Sequence, residues 1–426
     1  MPYIEPFRGL RYNPDRISFI SRVVAPPYDV IDDDQREELL ERDPRNVVRV
    51  ILDEPPEGGR EQAQFEQAAQ TLARWQENQV LIRDSEPSIY ICEQEFNGEQ
   101  GRVRRVGFIA RLLLEELGEN HVFPHEQTMD EPKDDRVKLL RATRTDLSQV
   151  FAIYADEKGR INSLVREMRP ELPLYEYRNE RDIATIVSRV DDPEEIQCLK
   201  DMLKEQALCI ADGHHRYETA LAYRDEVRPD GAPHGSVPED YTTVLFVSVA
   251  DEGLTTFPTH RLVRVSEGFE KREFVNWLQR EFKVRAAKVE EPEECAKAWE
   301  RLRDQGAMVG CYVAPRTLYG LFPNGENAAG EKDVLPVSIL TEKVLKGYLD
   351  LEPQRGAENG RIEYKSELEP IYWAVESGRY DLGFFLPPID PAVVQKEAAS
   401  GGRLPPKSTY FYPKVPSGLV MYPFEE

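Results

Sequence analysis

One short segment holds the residue types best suited to chemistry: Asp212, Gly213, His214, His215 and Arg216. An apolar run precedes it and helix-forming residues follow it, which predicts a turn from a buried strand into a helix. Glycine at such a turn lets the backbone approach a ligand closely, and the first amides of the helix favour an anion such as phosphate. Arg216 adds a planar cation that matches phosphate oxygens, and Asp212 offers oxygen ligands for a metal ion. The alternative is a structural turn in which Asp212 caps the helix and the histidines bridge neighbouring elements.

His125 and Glu126 form a second candidate, directly after an apolar run that ends at Pro124. A carboxylate beside an imidazole suits general-base catalysis, because each group tunes the proton affinity of the other. Arg136 follows closely and would add a cation to the same site. No second histidine stands four residues further on, so the helix of a zinc protease is excluded. The alternative is a solvated helix entry with surface ion pairs.

Thr259, His260 and Arg261 follow another strand-like run and would contact a phosphate or a carboxylate. Taken alone, this segment is more typical of an ordinary turn. The distribution of histidines adds weight to it, because four of the six lie in three charged turns, each beside an apolar run. A random scatter of histidines would not be expected to cluster in this way.

Two segments bordered by prolines complete the candidates. Two prolines stiffen the backbone before Tyr28 and Asp29, so that Asp29 could be held toward a metal ion; the alternative is a rigid loop in which it caps the local backbone. Lys407, Ser408 and Thr409 near the C-terminus suit a carboxylate or a phosphate. Their alternative is an edge strand that docks through the aromatic residues after it.

Composition limits the classes of protein. A chain of 426 residues predicts two or three domains, and 40% hydrophobic with 31% charged residues fits a soluble globular protein. The net charge of −23 argues against nucleic acid or an anionic membrane as a partner, and no apolar stretch approaches the ~18 residues of a membrane span. No signal peptide is recognisable, and the five cysteines form no CxxC pair. We therefore expect a cytoplasmic protein with reduced thiols; its oligomeric state is not readable.

Apolar periodicity predicts the elements that must position these residues. Helices are predicted at 32–42, 60–78, 133–144, 196–205, 217–223, 269–282, 292–305 and 337–345. Strands are predicted at 46–52, 88–96, 104–113, 150–154, 207–210, 243–249, 307–313 and 380–386. A change of character near residue 268 predicts domains at 1–268 and 269–426, with a tail after residue 399 that returns to the cleft of the first domain. The common GxxxxGK[ST], GxGxxG and GxSxG motifs are absent.

The DGHHR segment and the helix after it resemble the phosphate-binding turn of the ParB/sulfiredoxin superfamily. Residues 124–127 (PHEQ) look like the part of the archaeal free serine kinase that bears its catalytic glutamate, and residues 406–409 (PKST) look like its C-terminal hydroxyl-rich segment. The order of the three segments agrees. Across nearly its full length, the chain resembles a bacterial family of formerly unknown function, through its PPYDV, HExT, DGHHRYETA, PTHR and KSTYFYPK motifs. Residues 1–110 have no counterpart in the archaeal kinase, and Phe411 stands where its substrate site is expected to have a histidine.

This resemblance implies an α/β (α+β) fold with a ParB/sulfiredoxin-like nucleotide-binding core, an N-terminal extension and a second α/β domain at the C-terminus. It implies a small-molecule kinase that transfers phosphate from ATP or ADP to the hydroxyl of free L-serine, with Mg²⁺ as cofactor. The implied residues are Glu126 (general base), His125 and Asp212 for catalysis; Gly213, His214, His215 and Arg216 for the donor phosphates; Asp212 for Mg²⁺; and Lys407, Ser408 and Thr409 for the acceptor. The residue patterns add Asp29 as a second ligand for Mg²⁺ and Thr259, His260 and Arg261 as further contacts to the acceptor.

Two other classes of function stay open. The first is a ParB-like regulatory switch that binds a nucleotide without kinase activity; the acidic net charge opposes DNA binding by such a switch. The second is a metal-dependent hydrolase that uses His125, Glu126, His214 and His215.

Overall fold

The chain folds into two compact units of mixed α/β structure in a computed structural model, which describes residues 2–52, 62–98, 101–126, 133–324 and 334–425. The first unit contains Met1–Thr255, Pro391–Gly402 and Phe411–Glu426, and the second contains Thr256–Asp390 and Arg403–Tyr410. The break after Thr255 lies a short way before the boundary predicted near residue 268. Among the described residues, no helix is both long and apolar enough to cross a membrane.

Helices and strands follow one another along the described chain. The strands are β1 (Ile4–Glu5), β2 (Leu10–Tyr12), β3 (Leu81–Arg83), β4 (Ile89–Gly98), β5 (Gly101–Leu113), β6 (Val122–Pro124), β7 (Thr145–Asp146), β8 (Val150–Tyr154), β9 (Tyr175–Arg178), β10 (Ala184–Val190), β11 (Leu208–Asp212), β12 (Tyr241–Ser248), β13 (Thr255–Phe257), β14 (His260–Val263), β15 (Lys283–Lys288), β16 (Val309–Val313), β17 (Thr317–Phe322), β18 (Ile362–Lys365), β19 (Leu382–Phe385), β20 (Tyr410–Tyr412) and β21 (Tyr422–Pro423). The helices are α1 (Asp33–Arg42), α2 (Val48–Ile51), α3 (Gln62–Glu77), α4 (Lys133–Thr143), α5 (Arg160–Glu167), α6 (Pro193–Leu203), α7 (His214–Val227), α8 (Lys271–Glu281), α9 (Pro292–Asp304), α10 (Pro336–Ile339), α11 (Pro353–Glu358), α12 (Leu368–Glu376) and α13 (Pro391–Ala399).

A mixed sheet of nine strands forms the centre of the first unit. Its order is β6-β11-β8-β12-β5-β4-β10-β9, with β1 also paired to β5. The β4–β5 hairpin confirms the predicted pair of strands, and β12 confirms the strand predicted at 243–249, with all eight residues buried. Helices α5, α6 and α7 pack side chains such as Val165, Leu199 and Tyr217 into one apolar core with the sheet.

The two strands that carry the candidate residues lie side by side and run in the same direction. β6 and β11 are parallel, with Pro124 opposite Ile210, so their carboxyl ends meet at one edge of the sheet. The pairing of β11 with β8 is irregular between Ile210 and Asp212, a type of distortion that re-aims a side chain. His125, directly after β6, and Asp212, at the end of β11, are thereby brought to the same edge.

Most of the predicted elements are present, but one is wrong. The helix predicted at 32–42 is α1, and the side chain of Asp32 caps it by accepting from the amide of Gln35 at 2.8 Å. The strand predicted at 46–52 is instead the short helix α2. Asn46 initiates it, because its side chain accepts from the amide of Val48 at 2.9 Å and donates to the carbonyl of Arg22 at 2.7 Å. An apolar run of this length indicates burial but does not determine the backbone.

The second unit is built on a six-stranded antiparallel sheet with the order β15-β17-β16-β19-β14-β18. Helices α9 and α12 contribute Trp299 and Tyr372 to its core. The helix predicted at 337–345 begins as α10 and continues as a π-helical segment, Leu340–Lys346. β14, which begins at His260 directly after Thr259, is one strand of this sheet.

Candidate functional site

The turn from β11 into α7 is built around Gly213. Its φ of +85° lies in the left-handed region, which glycine adopts without strain. A Cβ at this position would lie 2.9 Å from Cζ of Arg216, so the arginine side chain folds back across the turn. The strand, turn and helix predicted around this segment are confirmed. The first turn of α7 therefore starts at the sheet edge where His125 and Asp212 meet.

The carboxylate of Asp212 is held between two cations. Arg216 Nη2 donates to one of its oxygens at 2.6 Å, and Lys414 Nζ donates to the other. Burial by itself would raise the pKa of Asp212, but the positive charges of Lys414 and Arg216 outweigh it and hold the pKa below the usual range. Asp212 is therefore ionised at neutral pH.

A third cation, Arg105, is completely enclosed in the first unit, with 1% of its surface exposed. Its guanidinium donates to the carbonyl of Pro413 at 2.7 Å and lies 4.7 Å from the ring centre of Phe151. Burial lowers the pKa of Arg105 to about 10, and nearby negative charges, that of Asp212 among them, oppose the effect. The side chain is still cationic at neutral pH.

Arg105, Arg216 and Lys414 are here called the cation cluster. Arg216 and Lys414 both bind Asp212, and the charges of Asp251 and Asp212 act on Arg105. Three cations close to the start of one helix favour the binding of an anion there. A phosphate group is such an anion, and the start of a helix is a common place for it.

His125 is buried, and its ring orientation is fixed. Its Nδ1 lies 2.6 Å from the carbonyl oxygen of Ile210. Because a carbonyl only accepts hydrogen bonds, Nδ1 is the donor, which leaves Nε2 of a neutral ring as an acceptor. That Nε2 lies 3.9 Å from Oε2 of Glu126. The two residues of the second sequence candidate are thus both present at this edge.

Aromatic rings surround His125. The ring centre of His214 lies 4.9 Å from that of His125, and the ring of Phe411 lies 5.9 Å away, edge to face. His214 is buried, whereas His215 is only half-buried at the first turn of α7. The remainder of the HExT motif, residues 127 and 128, lies outside the described residues.

The PPYDV segment, residues 26–30, lies near Arg216 at the start of α7. Its short 3-10 turn, Tyr28–Val30, puts the ring of Tyr28 4.3 Å from the guanidinium carbon of Arg136. Burial would lower the pKa of Arg216, but the charges of Asp212 and the exposed Asp29 raise it. Asp29 is therefore close enough to act on Arg216. Tyr28, Arg136 and Arg216 line a cleft that is open to solvent.

Thr259, His260 and Arg261 lie in the second unit, where all three are buried. Arg261 donates to the carbonyls of Thr259 and, at 3.0 Å, of Lys407. His260 Nδ1 accepts from the amide of Leu386 at 3.1 Å. Burial, aided by the charge of Arg261, lowers the pKa of His260 to about 3, so its ring is neutral at pH 7.

The predicted segment of Lys407, Ser408 and Thr409 also belongs to the second unit. Ser408 is buried and its hydroxyl donates to the carbonyl of Pro405 at 2.5 Å, whereas Lys407 is exposed and Thr409 is half-buried. Through Arg261, this unit brings together the two segments that the sequence assigns to the acceptor. The residues assigned to the donor phosphates belong to the first unit.

Most of the chain matches one protein family. Residues 4–340 match a family described as protein of unknown function, DUF1015. The chain belongs to the DUF1015 family. No protein of curated function matches it.

Solved structures resemble this DUF1015 protein only remotely. One is a conserved hypothetical protein from Pyrococcus furiosus, with 14% identity over 70% of this chain and 90% of the other, at a TM-score of 0.34. Another is a free serine kinase in complex with AMP, with 14% identity, 68% and 84% coverage, and a TM-score of 0.34. A third is SbnI with a C-terminal truncation from Staphylococcus aureus, with 12% identity, 70% and 84% coverage, and a TM-score of 0.33. The roles of residues in this DUF1015 protein therefore rest on its own geometry.

Two members of the cation cluster, Lys414 and Arg105, could not be predicted from the sequence. Lys414 follows two aromatic residues and a proline, and nothing in its local pattern separates it from a surface lysine. Arg105 is one of several arginines in β5, where an arginine is expected to face solvent. In both cases the signal is a partner distant in the chain, Asp212 for Lys414 and the carbonyl of Pro413 for Arg105.

The described residues do not build a magnesium site by themselves. No three acidic, histidine or cysteine side chains among them are placed to hold a metal ion. Both oxygens of Asp212 accept from cations, whereas Asp29 is exposed on its turn. Mg²⁺ commonly takes one or two carboxylates together with substrate phosphates, so an ion at this edge would need the oxygens of a bound phosphate.

Proposed function

We propose that this DUF1015 protein is a kinase for a small molecule, with a ParB/sulfiredoxin-like core in its first unit. It would transfer a phosphoryl group from ATP or ADP to the hydroxyl of free L-serine and release O-phosphoserine. The observation that carries the proposal is the cation cluster: Arg216 and Lys414 bind Asp212 at the start of α7, and Arg105 is close enough for the charge of Asp212 to act on it. Phosphoryl transfer depends mainly on positioning and on charge stabilisation, and such a cluster supplies both.

The donor phosphates are proposed to bind Gly213, His214, His215 and Arg216. Gly213 lets the guanidinium of Arg216 lie across the turn, and the first amides of α7 would face a bound anion. Arg216 already lies across the turn, within 2.6 Å of Asp212. Lys414, on the other oxygen of Asp212, would add a charge to the same phosphates.

Glu126 is proposed as the general base. Its carboxylate is partly exposed at the end of β6, and Nε2 of His125 lies 3.9 Å from it. The hydrogen bond from His125 to the carbonyl of Ile210 fixes the imidazole ring, so that Nε2 is held on the side of Glu126. The proton of the serine hydroxyl would pass to Glu126 as the oxygen takes the phosphoryl group.

The residues proposed for the acceptor are Thr259, His260, Arg261, Lys407, Ser408 and Thr409. Lys407 and Thr409 are the members most open to solvent. Mg²⁺ would accompany the nucleotide, with Asp29 as the open protein ligand and Asp212 only if Lys414 released it, and would neutralise phosphate charge.

Phosphorus NMR of the full chain with Mg²⁺, L-serine and either ATP or ADP tests the proposal directly. A phosphomonoester signal that depends on serine is the expected result, and the nucleotide that produces it is the donor. Nucleotide binding by calorimetry without turnover of serine would contradict the kinase and favour the nucleotide-binding switch. Zinc or manganese that survives dialysis would favour the hydrolase instead.

Substitution of Glu126 by Gln tests the base. The variant keeps the size of the side chain but cannot accept the proton, so we expect phosphoserine formation to fall by more than about tenfold. Glu119→Gln, at an exposed glutamate in the same region, serves as control. If Glu126→Gln stays within about tenfold of the wild-type rate, Glu126 is not the base.

A further inference from the structure

The cleft beside Arg216 has an apolar wall that phosphate binding does not explain. It lies in the first unit, is open to solvent and borders the candidate phosphate site through Arg216. Its apolar side chains come from separate parts of the chain: Ile51, Leu139, Leu140, Leu147, Ala220 and Phe424. Two of its lining residues, Tyr28 and Ile51, belong to the N-terminal region, which has no counterpart in the archaeal kinase.

A buried hydroxyl in this cleft has no partner in the described part of the protein. Thr219 is 5% exposed, lines the cleft, and its Oγ1 makes no hydrogen bond there. It lies three residues after Arg216 on α7, and residues at this spacing share one face of a helix. Buried polar atoms in folded proteins almost always have a partner, so this hydroxyl points to a ligand.

The cationic end of the cleft is held in place by the protein. Arg136 donates to the carbonyl of Ile51 at 2.8 Å and to Asp135 at 2.5 Å, while its guanidinium lies over Tyr28. Its Nε is also buried without a partner in the described structure. The one carboxylate that lines the cleft, Asp146, is occupied by hydrogen bonds from Thr242 and Thr243.

We infer that this cleft binds the nucleoside part of the nucleotide, and this inference rests on the proposed function. The phosphates would lie toward Arg216, the base against the apolar wall, and the hydroxyl of Thr219 would pair with a polar atom of the nucleoside. A flat heterocycle joined to an anion matches a wall that is apolar along its length and cationic at one end. Free serine does not, because its polar groups would leave the apolar wall without contacts.

The test compares the binding of ADP, adenosine and inorganic pyrophosphate by calorimetry. Thr219→Val removes the hydroxyl at nearly constant volume, and Leu140→Trp fills the cleft from α4. In each variant we expect the affinity for ADP to fall by roughly tenfold, the usual effect of one lost hydrogen bond or a blocked contact surface. The affinity for pyrophosphate should stay within about twofold, because it uses only the phosphate site.

Matched controls are Thr71→Val, at a buried threonine in helix α3, and Leu117→Trp, at a partly buried leucine of the core. Neither residue lines the cleft, so both controls should bind ADP as the wild type does. Hydrogen exchange of the wild type adds a measurement that needs no variant. ADP, but not pyrophosphate, should protect amides at residues 139–140 and 219–220.

The outcomes separate the two proposals. If the wild type binds ADP and the cleft variants bind it equally well, with no protection at 139–140, the cleft assignment is wrong and the kinase proposal stands. If ADP and pyrophosphate lose affinity together, the cleft acts on the phosphates and not on the nucleoside. If the wild type binds neither ADP nor pyrophosphate, the proposed function itself fails.

Discussion

Lys414 occupies an unusual position for a lysine, because its ammonium group is bound to a half-buried aspartate at the start of a helix. If the cation cluster binds phosphates, Lys414 contributes one of its three charges. We expect Lys414→Gln to weaken ADP binding by at least tenfold, because a hydrogen bond to a charged group is worth about 1.5–3 kcal/mol. Calorimetry with ADP measures the effect.

Lys396→Gln, at an exposed lysine of α13 in the same unit, controls for the loss of one positive charge from the molecule. The control should change ADP affinity by less than twofold. Unchanged or tighter binding by Lys414→Gln would show that Lys414 only compensates Asp212 and does not contact the nucleotide.

At the residue scale, the sequence was informative wherever unusual residue types stood close together. It singled out residues 125–126, 212–216 and Asp29 as separate candidates, and the fold brings them to one edge of a sheet. It did not indicate Arg105 or Lys414, because the role of each depends on partners distant in the chain. A lysine or arginine in a local pattern indicates exposure, and only tertiary structure shows that it is buried.

At the scale of one element, Gly213 controls the turn that presents α7. We expect Gly213→Ala to destabilise the protein by about 1–2 kcal/mol, the cost of a left-handed conformation for an L-residue. It should also weaken ADP binding by at least about tenfold, because the new Cβ would lie 2.9 Å from Cζ of Arg216. Thermal unfolding and calorimetry measure the two effects separately.

Gly231→Ala is a matched control in the same unit. Gly231 has a φ of +75°, and a Cβ there would meet nothing within 4 Å. This variant should share the loss of stability and keep the affinity for ADP. Equal loss of affinity in both variants would mean that Gly213 matters only for folding.

Helices and strands were predicted correctly where the apolar pattern extends over many residues, and the one wrong prediction lies in a short segment. The helix α3 and the β4–β5 hairpin have patterns of ten residues or more that fit only one backbone. The segment 46–52 is apolar except at Asn46 and Arg49, and so short a pattern could not distinguish a strand from the helix that Asn46 initiates. The π-helical segment Leu340–Lys346 has no signature in residue type at all.

At the scale of the whole molecule, the length of the chain predicted more than one unit but did not predict which segments form each unit. In the first unit, β21 near the C-terminus pairs with β7, whose residues lie far earlier in the chain. Gln149, which accepts from Arg216 through its carbonyl, donates through its side chain to Val420 of the same C-terminal segment. Such pairings depend on the completed fold, since no local pattern specifies the partner of a two-residue strand.

The dependence of stability on pH should be set in part by His260. Burial lowers its pKa from 6.5 to about 3. Below pH 6.5 the unfolded chain therefore binds a proton on this ring, whereas the folded chain binds it only near pH 3. The free energy of unfolding therefore decreases as the pH falls through this window, by at most about 1.4 kcal/mol per pH unit. His260→Asn keeps an acceptor for the amide of Leu386 but does not titrate, so the wild type should lose about 1 kcal/mol relative to it between pH 6 and pH 5.

Urea unfolding followed by tryptophan fluorescence measures this difference, because Trp277, Trp299 and Trp373 all lie in the second unit with His260. The comparison of wild type and variant removes the contribution of the acidic side chains, which titrate in both proteins. Parallel pH curves would show that His260 titrates in the folded protein as it does in the unfolded chain, and its ring would then be a cation available to an anionic acceptor below about pH 6.5. Diverging curves would show that His260 is neutral in the folded protein and has a structural role. The cation that binds the acceptor would then be Lys407, which is exposed in the same unit.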